Sequence, residues 1–514
     1  MKFYSLRQEM KLLGNAYIMV VAGILLAKGI GFFRDMVFAG VFGTGMEADI
    51  YFQVFGLVNL IFTGVGVALS TLIIKNVNKA ENSSNGREYV TSFIRKTVLS
   101  LVIVCSLMAL CAPYIVNIIL PEIQAESYAL AVKLTYVMIP SLMFVVIAYV
   151  ISGILQNERV FFITSIMSLP FNILIILALS IPGISVFNIG IVTTVGWFTH
   201  ILILLPSFYK KKYSLFLSKE KYQPKKEKNF EIIWIFISNM MFQLCFYTDR
   251  AFVSGNEGMA STFNYASNLF ITIASVFVVA MSTVLFPSIS KNYEEGNIDY
   301  VNELLRYIIT IMTAIFLPFI LVTGFFGKDV IRLVYERGEF TSDSTIAVSL
   351  VFFIYSLGVL GYVCQELFNK IMYLAGKYKH TVIGTVAIIL FNVIINIFVK
   401  TFVKDSLITS SGFSRVPLFI AVSTAILLTI YAVVIALGIK KVVGPYWKKD
   451  LVSDIVKIFV SGGCAALVYF GFNILKPEFT HGKYTFVIPL LCCGVVYCLA
   501  LFLTGMVKRL TKKL

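Results

Sequence analysis

The sequence predicts an all-α polytopic membrane protein with about fourteen transmembrane helices, arranged as two pseudo-symmetric six-helix lobes plus two C-terminal helices. Hydrophobic residues make up 58% of the 514 residues and charged residues only 14%, which is not the composition of a soluble domain. Apolar runs of the length that crosses a bilayer as a helix recur along the chain. They are continuously apolar, whereas membrane β-strands alternate polar and apolar residues.

Each apolar run is predicted to form one membrane-spanning helix. In chain order, the fourteen runs lie near residues 12–42, 48–75, 90–118, 127–155, 160–181, 187–208, 229–254, 260–288, 300–324, 343–373, 380–399, 417–439, 452–475 and 484–506.

The distribution of lysine and arginine predicts the orientation in the membrane. An even number of spans places both termini on one side, and cations concentrate in the connecting segments of that side. The run 210–228 is rich in lysine, whereas the opposite segments GTGMEA, PEIQAE, IPGIS and SGNEG contain no cation. Both termini are therefore predicted to be cytoplasmic. The net charge of +16 then reflects topology and contact with anionic membrane lipids, and we expect no nucleic-acid partner.

An internal repeat predicts the domain organisation. The segment ALSTLIIKNVNK at 68–79 recurs as AMSTVLFPSISK at 280–291, an offset of 212 residues. Two halves in the same orientation imply a pseudo-two-fold axis along the membrane normal. The predicted parts are an N-terminal lobe (1–208), a basic cytoplasmic linker (209–229), a C-terminal lobe (230–440), and a final pair of spans with a cytoplasmic tail (441–514).

Four of the charged residues in the apolar stretch Ala27 to Asn59 are candidate site residues. They are Lys28, Arg34, Asp35 and Asp49. A charge near the middle of a membrane costs a few kcal/mol, so such residues usually face a cavity, a partner or a substrate. At about 100° per residue, Lys28 and Asp35 fall on one face of a straight helix, and Arg34 points about 120° away. The exception would be a helix that Gly29 and Gly31 loosen, which would let Arg34 swing round. Charges that only join helices are the alternative, but four in one stretch favour a functional cavity.

The second half carries charges at comparable depth. Glu366 and Lys370 have the i,i+4 spacing of an intrahelical ion pair, so a structural role is an alternative for them. Lys133 either extends its amine to the membrane surface or lines the cavity. Arginine suits bidentate recognition of phosphate, which indicates a phosphorylated, membrane-bound substrate. The predicted substrate-binding residues are Lys28, Arg34, Asp35, Asp49, Arg250, Lys133, Glu366 and Lys370.

Nothing in the sequence indicates a cofactor or covalent chemistry. The eight cysteines all fall inside predicted spans and form no CxxC motif, so we interpret them as apolar packing residues. The three histidines are far apart, which argues against a metal site. A polytopic glycosyltransferase needs an acid/base or metal-binding carboxylate cluster at the membrane surface, and the short outer loops contain no such cluster. An antiporter for amphiphilic cations needs an acidic cavity, against which Lys28 and Arg34 argue.

The opening stretch resembles the MurJ/MviN family, within the superfamily of multidrug, oligosaccharidyl-lipid and polysaccharide exporters. The resemblance extends in order across spans 1 to 10. The matching segments are AKGIGFFRD at 27–35, FGTG at 42–45, DIYF at 49–52, Asn59, NYA at 264–266, LFPSISK at 285–291 and ERGEF at 336–340.

The resemblance implies a function. Members of the family flip lipid II, the undecaprenyl-pyrophosphate-linked peptidoglycan precursor, across the bacterial cytoplasmic membrane. Two six-helix lobes enclose a central cationic cavity, and spans 13 and 14 form a groove for the lipid tail. By position, Lys28 replaces the family's first essential arginine and keeps the positive charge. Arg34 and Asp49 are the residues that the family pattern has at their positions. The expected activity is transport by alternating access, without catalysis.

The chain departs from the family pattern at two arginine positions. Phe62 and Asn268 stand where the family places arginines, so a flippase for another lipid-linked oligosaccharide or polysaccharide unit is the alternative.

The resemblance also implies a candidate ion site, because some family members bind sodium between spans 7, 11 and 12. The matching residues are Asn392 and Asn396, with Asn239 as a third. Amides that join helices are the alternative interpretation, and coupling to sodium or to protons stays open.

Overall fold

A computed structural model describes residues 2–81, 86–215, 230–404, 406, 413–476 and 484–511, and these residues form eighteen α-helices and no β-strand. The helices are α1 (Lys2–Phe42), α2 (Met46–Glu81), α3 (Gly86–Leu110), α4 (Ala112–Ile119), α5 (Ala125–Asn157), α6 (Phe161–Ser165), α7 (Leu169–Leu179), α8 (Val186–Lys210), α9 (Phe230–Val253), α10 (Met259–Glu294), α11 (Ile298–Tyr335), α12 (Ser342–Leu357), α13 (Val359–Leu374), α14 (Tyr378–Phe402), α15 (Arg415–Val443), α16 (Lys449–Leu475), α17 (Val487–Leu503) and α18 (Met506–Thr511).

All fourteen predicted apolar runs coincide with helices, but three of the runs are broken. The breaks separate α3 from α4, α6 from α7, and α12 from α13. Within the described ranges, nine helical segments are long and apolar enough to cross a membrane, and α12 with α13 forms a tenth that bends by 47°. The all-helical, multi-span fold is therefore confirmed, and the count of fourteen spans stays a prediction.

The bend between α12 and α13 lies at Gly358, where α15 comes close. A Cβ atom on Gly358 would lie 3.1 Å from the backbone of Ala425, and one on Gly361 would lie 2.7 Å from the carbonyl oxygen of Leu428. Small residues at such places let two helix backbones approach closely within a membrane. The two glycines therefore fix the packing of the α12–α13 pair against α15.

Helix lengths support the duplication seen in the sequence. Helices α2 and α10 both contain 36 residues, and their bounds differ by 213 positions at either end. Helix α5 has 33 residues, and the bent pair α12–α13 covers the corresponding place in the second half.

The chain divides into two compact units, Met1–Ser261 and Thr262–Leu514. In the first unit, α2 packs against α5, α5 against α8, and α9 against α2. In the second unit, α13 and α14 pack on α15, and α16 packs on α17 and α11. Each unit is a group of helices that contact one another, and the border between the units does not test the lobe bounds derived from the repeat. Those bounds stay a prediction.

Helix α17 is held against α11 and ends in a short turn. The hydroxyl of Tyr497 donates to the carbonyl oxygen of Ala314 at 2.7 Å. After the turn, α18 returns to α16, where Arg509 Nη1 lies 2.6 Å from Asp454 Oδ1. Met506 at the start of α18 is fully buried, so the C-terminal segment is anchored by one apolar and one ionic contact.

The close approach of α13 and α15 predicts a difference between two glycine substitutions. Gly361→Ala should lower the free energy of unfolding by about 1–3 kcal/mol, because the new methyl group meets backbone that cannot move aside. Gly463→Ala should be neutral or stabilising by up to about 1 kcal/mol, since alanine favours helix and nothing lies within 4 Å of that position. Thermal unfolding of the purified protein in detergent measures both, and equal stability of the two variants would contradict the packing described.

Candidate functional site

Arg34 lies near the end of α1 and pairs with its neighbour Asp35. Its Nε and Nη2 atoms lie 3.0 and 2.6 Å from Asp35 Oδ1, and the two side chains are only 15% and 12% exposed. The free-energy cost of a charged arginine inside an apolar helix is lowest when a carboxylate lies within hydrogen-bond distance of it. The pair therefore makes this position in α1 compatible with an apolar setting.

Two phenylalanines and an asparagine complete the surroundings of the Arg34 guanidinium. Its central carbon lies 5.7 Å from the ring centroid of Phe55 and 5.5 Å from that of Phe171, both within the range of a cation–π interaction. Its Nη1 donates to Asn172 Oδ1 at 3.1 Å. Asn172 is in turn held by donating to the carbonyl oxygen of Ser168 at 2.9 Å. Contacts from α2 and α7 thus fix the guanidinium in one orientation.

Lys28, Arg34 and Asp35 lie on one uninterrupted helix. Helix α1 is continuous through Gly29 and Gly31, so Lys28 and Asp35 lie two turns apart on it. The position of Arg34 is about 100° around the helix from that of Asp35, and its long side chain folds back onto the adjacent carboxylate. Lys28 is half-buried.

Asp49 binds backbone N–H groups at the beginning of α10. Its Oδ2 accepts from the N–H of Gly258 at 2.7 Å, and its Oδ1 accepts from the N–H of Ser261 at 2.6 Å. Asp49 is fully buried. The first N–H groups of a helix have no partner within it, and a carboxylate there also complements the helix dipole. Asp49 therefore acts as an N-cap supplied by another helix.

Gly258 permits this contact through its conformation and its size. Its φ angle is +80°, a region that favours glycine, and a Cβ atom would lie 2.2 Å from the carbonyl oxygen of Thr44. The turn between α9 and α10 therefore lies directly against the turn between α1 and α2.

Helix α9 approaches α2 at Gly56, which places Arg250 beside α2. A Cβ atom on Gly56 would lie 2.9 Å from Tyr247 and 3.0 Å from Arg250. The Tyr247 hydroxyl donates to the carbonyl oxygen of Gln53 at 3.0 Å, and the Arg250 guanidinium lies 5.1 Å from the Tyr247 ring centroid. Arg250 is 9% exposed. Lys133, by contrast, is exposed on α5.

Glu366 and Lys370 lie one turn apart on α13, next to a hydrogen-bonded chain of amides. Gln365 Nε2 donates to Glu366 Oε1 at 3.3 Å, and Asn369 Nδ2 donates to Gln365 Oε1 at 2.9 Å. The Tyr431 hydroxyl of α15 donates to Asn369 Oδ1 at 3.0 Å. Both charged side chains are half-buried. This chain of polar groups connects the charged face of α13 to α15.

The amides of the candidate ion site bind to each other and to hydroxyls of α15. Asn392 Nδ2 donates to Thr424 Oγ1 at 2.8 Å, and Asn396 Nδ2 donates to Asn392 Oδ1 at 3.4 Å. Ser423 donates to Asn396 Oδ1 at 3.2 Å. These bonds support the interpretation that the amides join α14 to α15. The side chain of Asn239 lies outside the described residues, so its part in an ion site stays a prediction.

Sequence reasoning missed the residues that orient Arg34. Phe55, Phe171 and Asn172 carry no charge, and aromatic residues are common throughout the chain. One signal was available, since Asn172 is an amide within an apolar span directly after Pro170 and Phe171. A polar residue in such a span is expected to have a partner.

Comparison with known proteins identifies the family of the chain. The model of the family described as Lipid II flippase MurJ matches residues 38–489. The chain belongs to this family. The MurJ family consists of transporters, and the resemblance noted in the sequence is therefore confirmed.

Named relatives agree with the family match. The chain is 25% identical over 365 residues to a probable lipid II flippase MurJ of Rhizobium tropici, covering 68% of either chain. It is 26% identical over 371 residues to a probable lipid II flippase MurJ of Buchnera aphidicola, covering 68% of this chain and 70% of the relative.

Solved structures share the fold. A lipid II flippase MurJ in an inward closed conformation has a TM-score of 0.76 and 21% identity, covering 95% of this chain and all of the other. An inward-facing multidrug resistance transporter of the MATE family, in the MOP superfamily, has a TM-score of 0.64 and 16% identity, covering 83% of this chain and 95% of the other. The fold is therefore that of MurJ and MATE transporters.

The cap formed by Asp49 predicts a loss of stability on its removal. Asp49→Ala leaves two buried N–H groups without their acceptor, which should cost about 2–4 kcal/mol of unfolding free energy. Asp49→Asn should cost less, because the amide oxygen still accepts one bond. Glu47→Ala is the control, since Glu47 lies in the same first turn but is exposed. Denaturation in detergent measures all three, and equal effects of Asp49→Ala and Glu47→Ala would contradict the capping role.

Proposed function

We propose that the chain flips lipid II, the undecaprenyl-pyrophosphate-linked peptidoglycan precursor, across the bacterial cytoplasmic membrane by alternating access. Membership in the MurJ family supports the substrate class, and the setting of Arg34 supports the mode of binding. Lys28, Arg34, Asp35, Asp49, Arg250, Lys133, Glu366 and Lys370 are the proposed residues of the transport site.

The orientation of the Arg34 guanidinium carries the proposal. Of its five N–H groups, three donate to Asp35 and Asn172. The other two donate to no acceptor among the described residues, so they are the groups proposed to bind a phosphate oxygen. A donor that is already oriented loses less conformational entropy on binding. Lys28 adds a second positive charge to the same helix.

Another lipid-linked glycan is the second candidate cargo. Phe62 and Asn268 replace arginines of the family pattern. Asn268 lies half-buried on α10, and the side chain of Phe62 lies outside the described residues. An amide donates weaker hydrogen bonds to phosphate than a guanidinium does. A flippase with this change either holds the pyrophosphate through other cations or carries a different head group.

The energy source and the orientation are further parts of the proposal. Coupling to sodium or protons stays a prediction, as does use of the membrane potential, which supplies about 2.3 kcal/mol per charge per 100 mV. The cation distribution supports cytoplasmic termini.

Replacement of a host's own flippase tests the cargo. Cells depleted of their essential lipid II flippase should grow when they express this chain, and Arg34→Ala should abolish growth although the variant is present in the membrane. Each lost charged hydrogen bond costs about 1.5–3 kcal/mol, so lipid II reaching the outer leaflet should fall by at least about tenfold. Lys28→Arg is the control and should be tolerated, because it keeps the charge.

The outcomes of this experiment separate the two cargoes. Growth that survives Arg34→Ala would show that this arginine is structural. Failure of the unmodified chain, expressed and inserted, would exclude lipid II and favour another glycan. If the unmodified chain rescues, Asn268→Arg should change little.

Orientation predicts a difference between two introduced cysteines. In a variant without native cysteines, Ser180→Cys should react with an impermeant thiol reagent in intact cells, because the turn after α7 is predicted to be outside. Glu295→Cys, after α10, should react only in opened cells. Both positions are exposed. The reverse pattern would overturn the proposed topology.

A further inference from the structure

A groove lies at the beginning of α16, next to the short segment 444–448 that follows α15. Its volume is about 610 Å³. The residues that matter for its chemistry are Trp447, Lys448, Lys449, Val452, Val456 and Lys457. None of them belongs to the proposed transport site.

The groove is positively charged. Lys448 and Lys449 are exposed and Lys457 is half-buried, and among the described residues no carboxylate forms an ion pair with any of the three. The acids closest to these lysines in the sequence, Asp450 and Asp454, lie near Arg509 instead. Arg509 binds Asp454 at 2.6 Å and lies 3.9 Å from Asp450. At the beginning of α16, Asp450 and Asp454 therefore lie near Arg509 of α18, whereas the lysines line the groove.

An apolar surface continues from the lysines along α16. Val452 and Val456 are 51% and 55% exposed, and Phe459 and Val460 follow with 53% and 55%. Trp447, which directly precedes Lys448 in the sequence, is 52% exposed. Tryptophan and lysine are typical of the membrane–water boundary, where amphipathic side chains place one part in each phase. The groove therefore combines a cationic end with an adjoining face for hydrocarbon.

We propose that this groove binds the head group of an anionic phospholipid, with an acyl chain lying on the exposed face of α16. The phosphate would lie among the three lysine amines, and Trp447 would contact the glycerol region. Charge complementarity and the continuity of the apolar face support a lipid over a soluble anion, which would leave that face unused. The inference does not depend on which glycan the chain carries.

Quenching of Trp447 fluorescence tests the proposal. The full-length protein is reconstituted into phosphatidylcholine vesicles that contain either phosphatidylglycerol or phosphatidylcholine brominated near the head group. The contribution of Trp447 is the difference between the unmodified protein and Trp447→Phe, which leaves the other two tryptophans in place. Brominated phosphatidylglycerol should quench Trp447 at a lower mole fraction in the vesicle than brominated phosphatidylcholine needs.

A matched pair of double variants separates the groove from general charge attraction. Each lysine near an anionic surface contributes about fivefold to binding. Lys448→Gln/Lys449→Gln should therefore reduce the preference for phosphatidylglycerol by at least about tenfold. Lys440→Gln/Lys441→Gln removes the same charge from exposed positions at the end of α15. This variant should keep the preference for phosphatidylglycerol.

The remaining outcomes would overturn the proposal. An undiminished preference in the first double variant, or an equal loss in both, would show that no specific site exists. Displacement of the brominated lipid by excess inorganic phosphate would show that the groove binds a free anion. Gel filtration confirms that both variants remain folded.

Discussion

The balance of charge inside apolar helices is the constraint on which the rest of this structure depends. Arg34 can remain in α1 because Asp35 supplies a carboxylate at 2.6 Å and because Asn172 accepts one further bond. The cost of burying either charge alone is several kcal/mol, so the pair has to persist through the transport cycle or be replaced by the charges of the cargo. In the proposed binding mode, a pyrophosphate at Arg34 would add negative charge beside Asp35, and Lys28 lies two turns away on the same helix.

A second constraint acts at the helix ends, where backbone groups need partners. Asp49 supplies acceptors to the first turn of α10, and Gly258 allows the chain to turn close to Thr44. One carboxylate thus joins the beginning of α2 to the beginning of α10, its equivalent in the repeat. Arg34, which is proposed to bind the cargo, and Asp49, whose carboxylate caps α10, therefore lie in one sequence motif.

The sequence allowed the helical class, the places of the helices and the repeat to be predicted, because apolar run length and internal similarity depend on local residues. It also located Arg34 and Asp35, since charges in apolar runs are conspicuous. It could not show that these two bind each other, because side-chain flexibility is not part of helix periodicity. Asn172 and Phe171 come from a helix more than a hundred positions away along the chain, so only tertiary packing reveals their contact with Arg34. The packing role of Asn392 likewise depends on Thr424 in another helix.

The length of α17 has a consequence for the surrounding bilayer. Seventeen residues extend about 25 Å as a helix, which is less than the ~30 Å thickness of the hydrocarbon core. Its neighbour α16 has 27 residues and does not have this deficit. Lipid next to a short helix thins locally to match it, so we expect a dimple in the membrane along α17. A polar head group beside α17 would therefore have a thinner hydrocarbon layer to cross than one beside a longer helix such as α16.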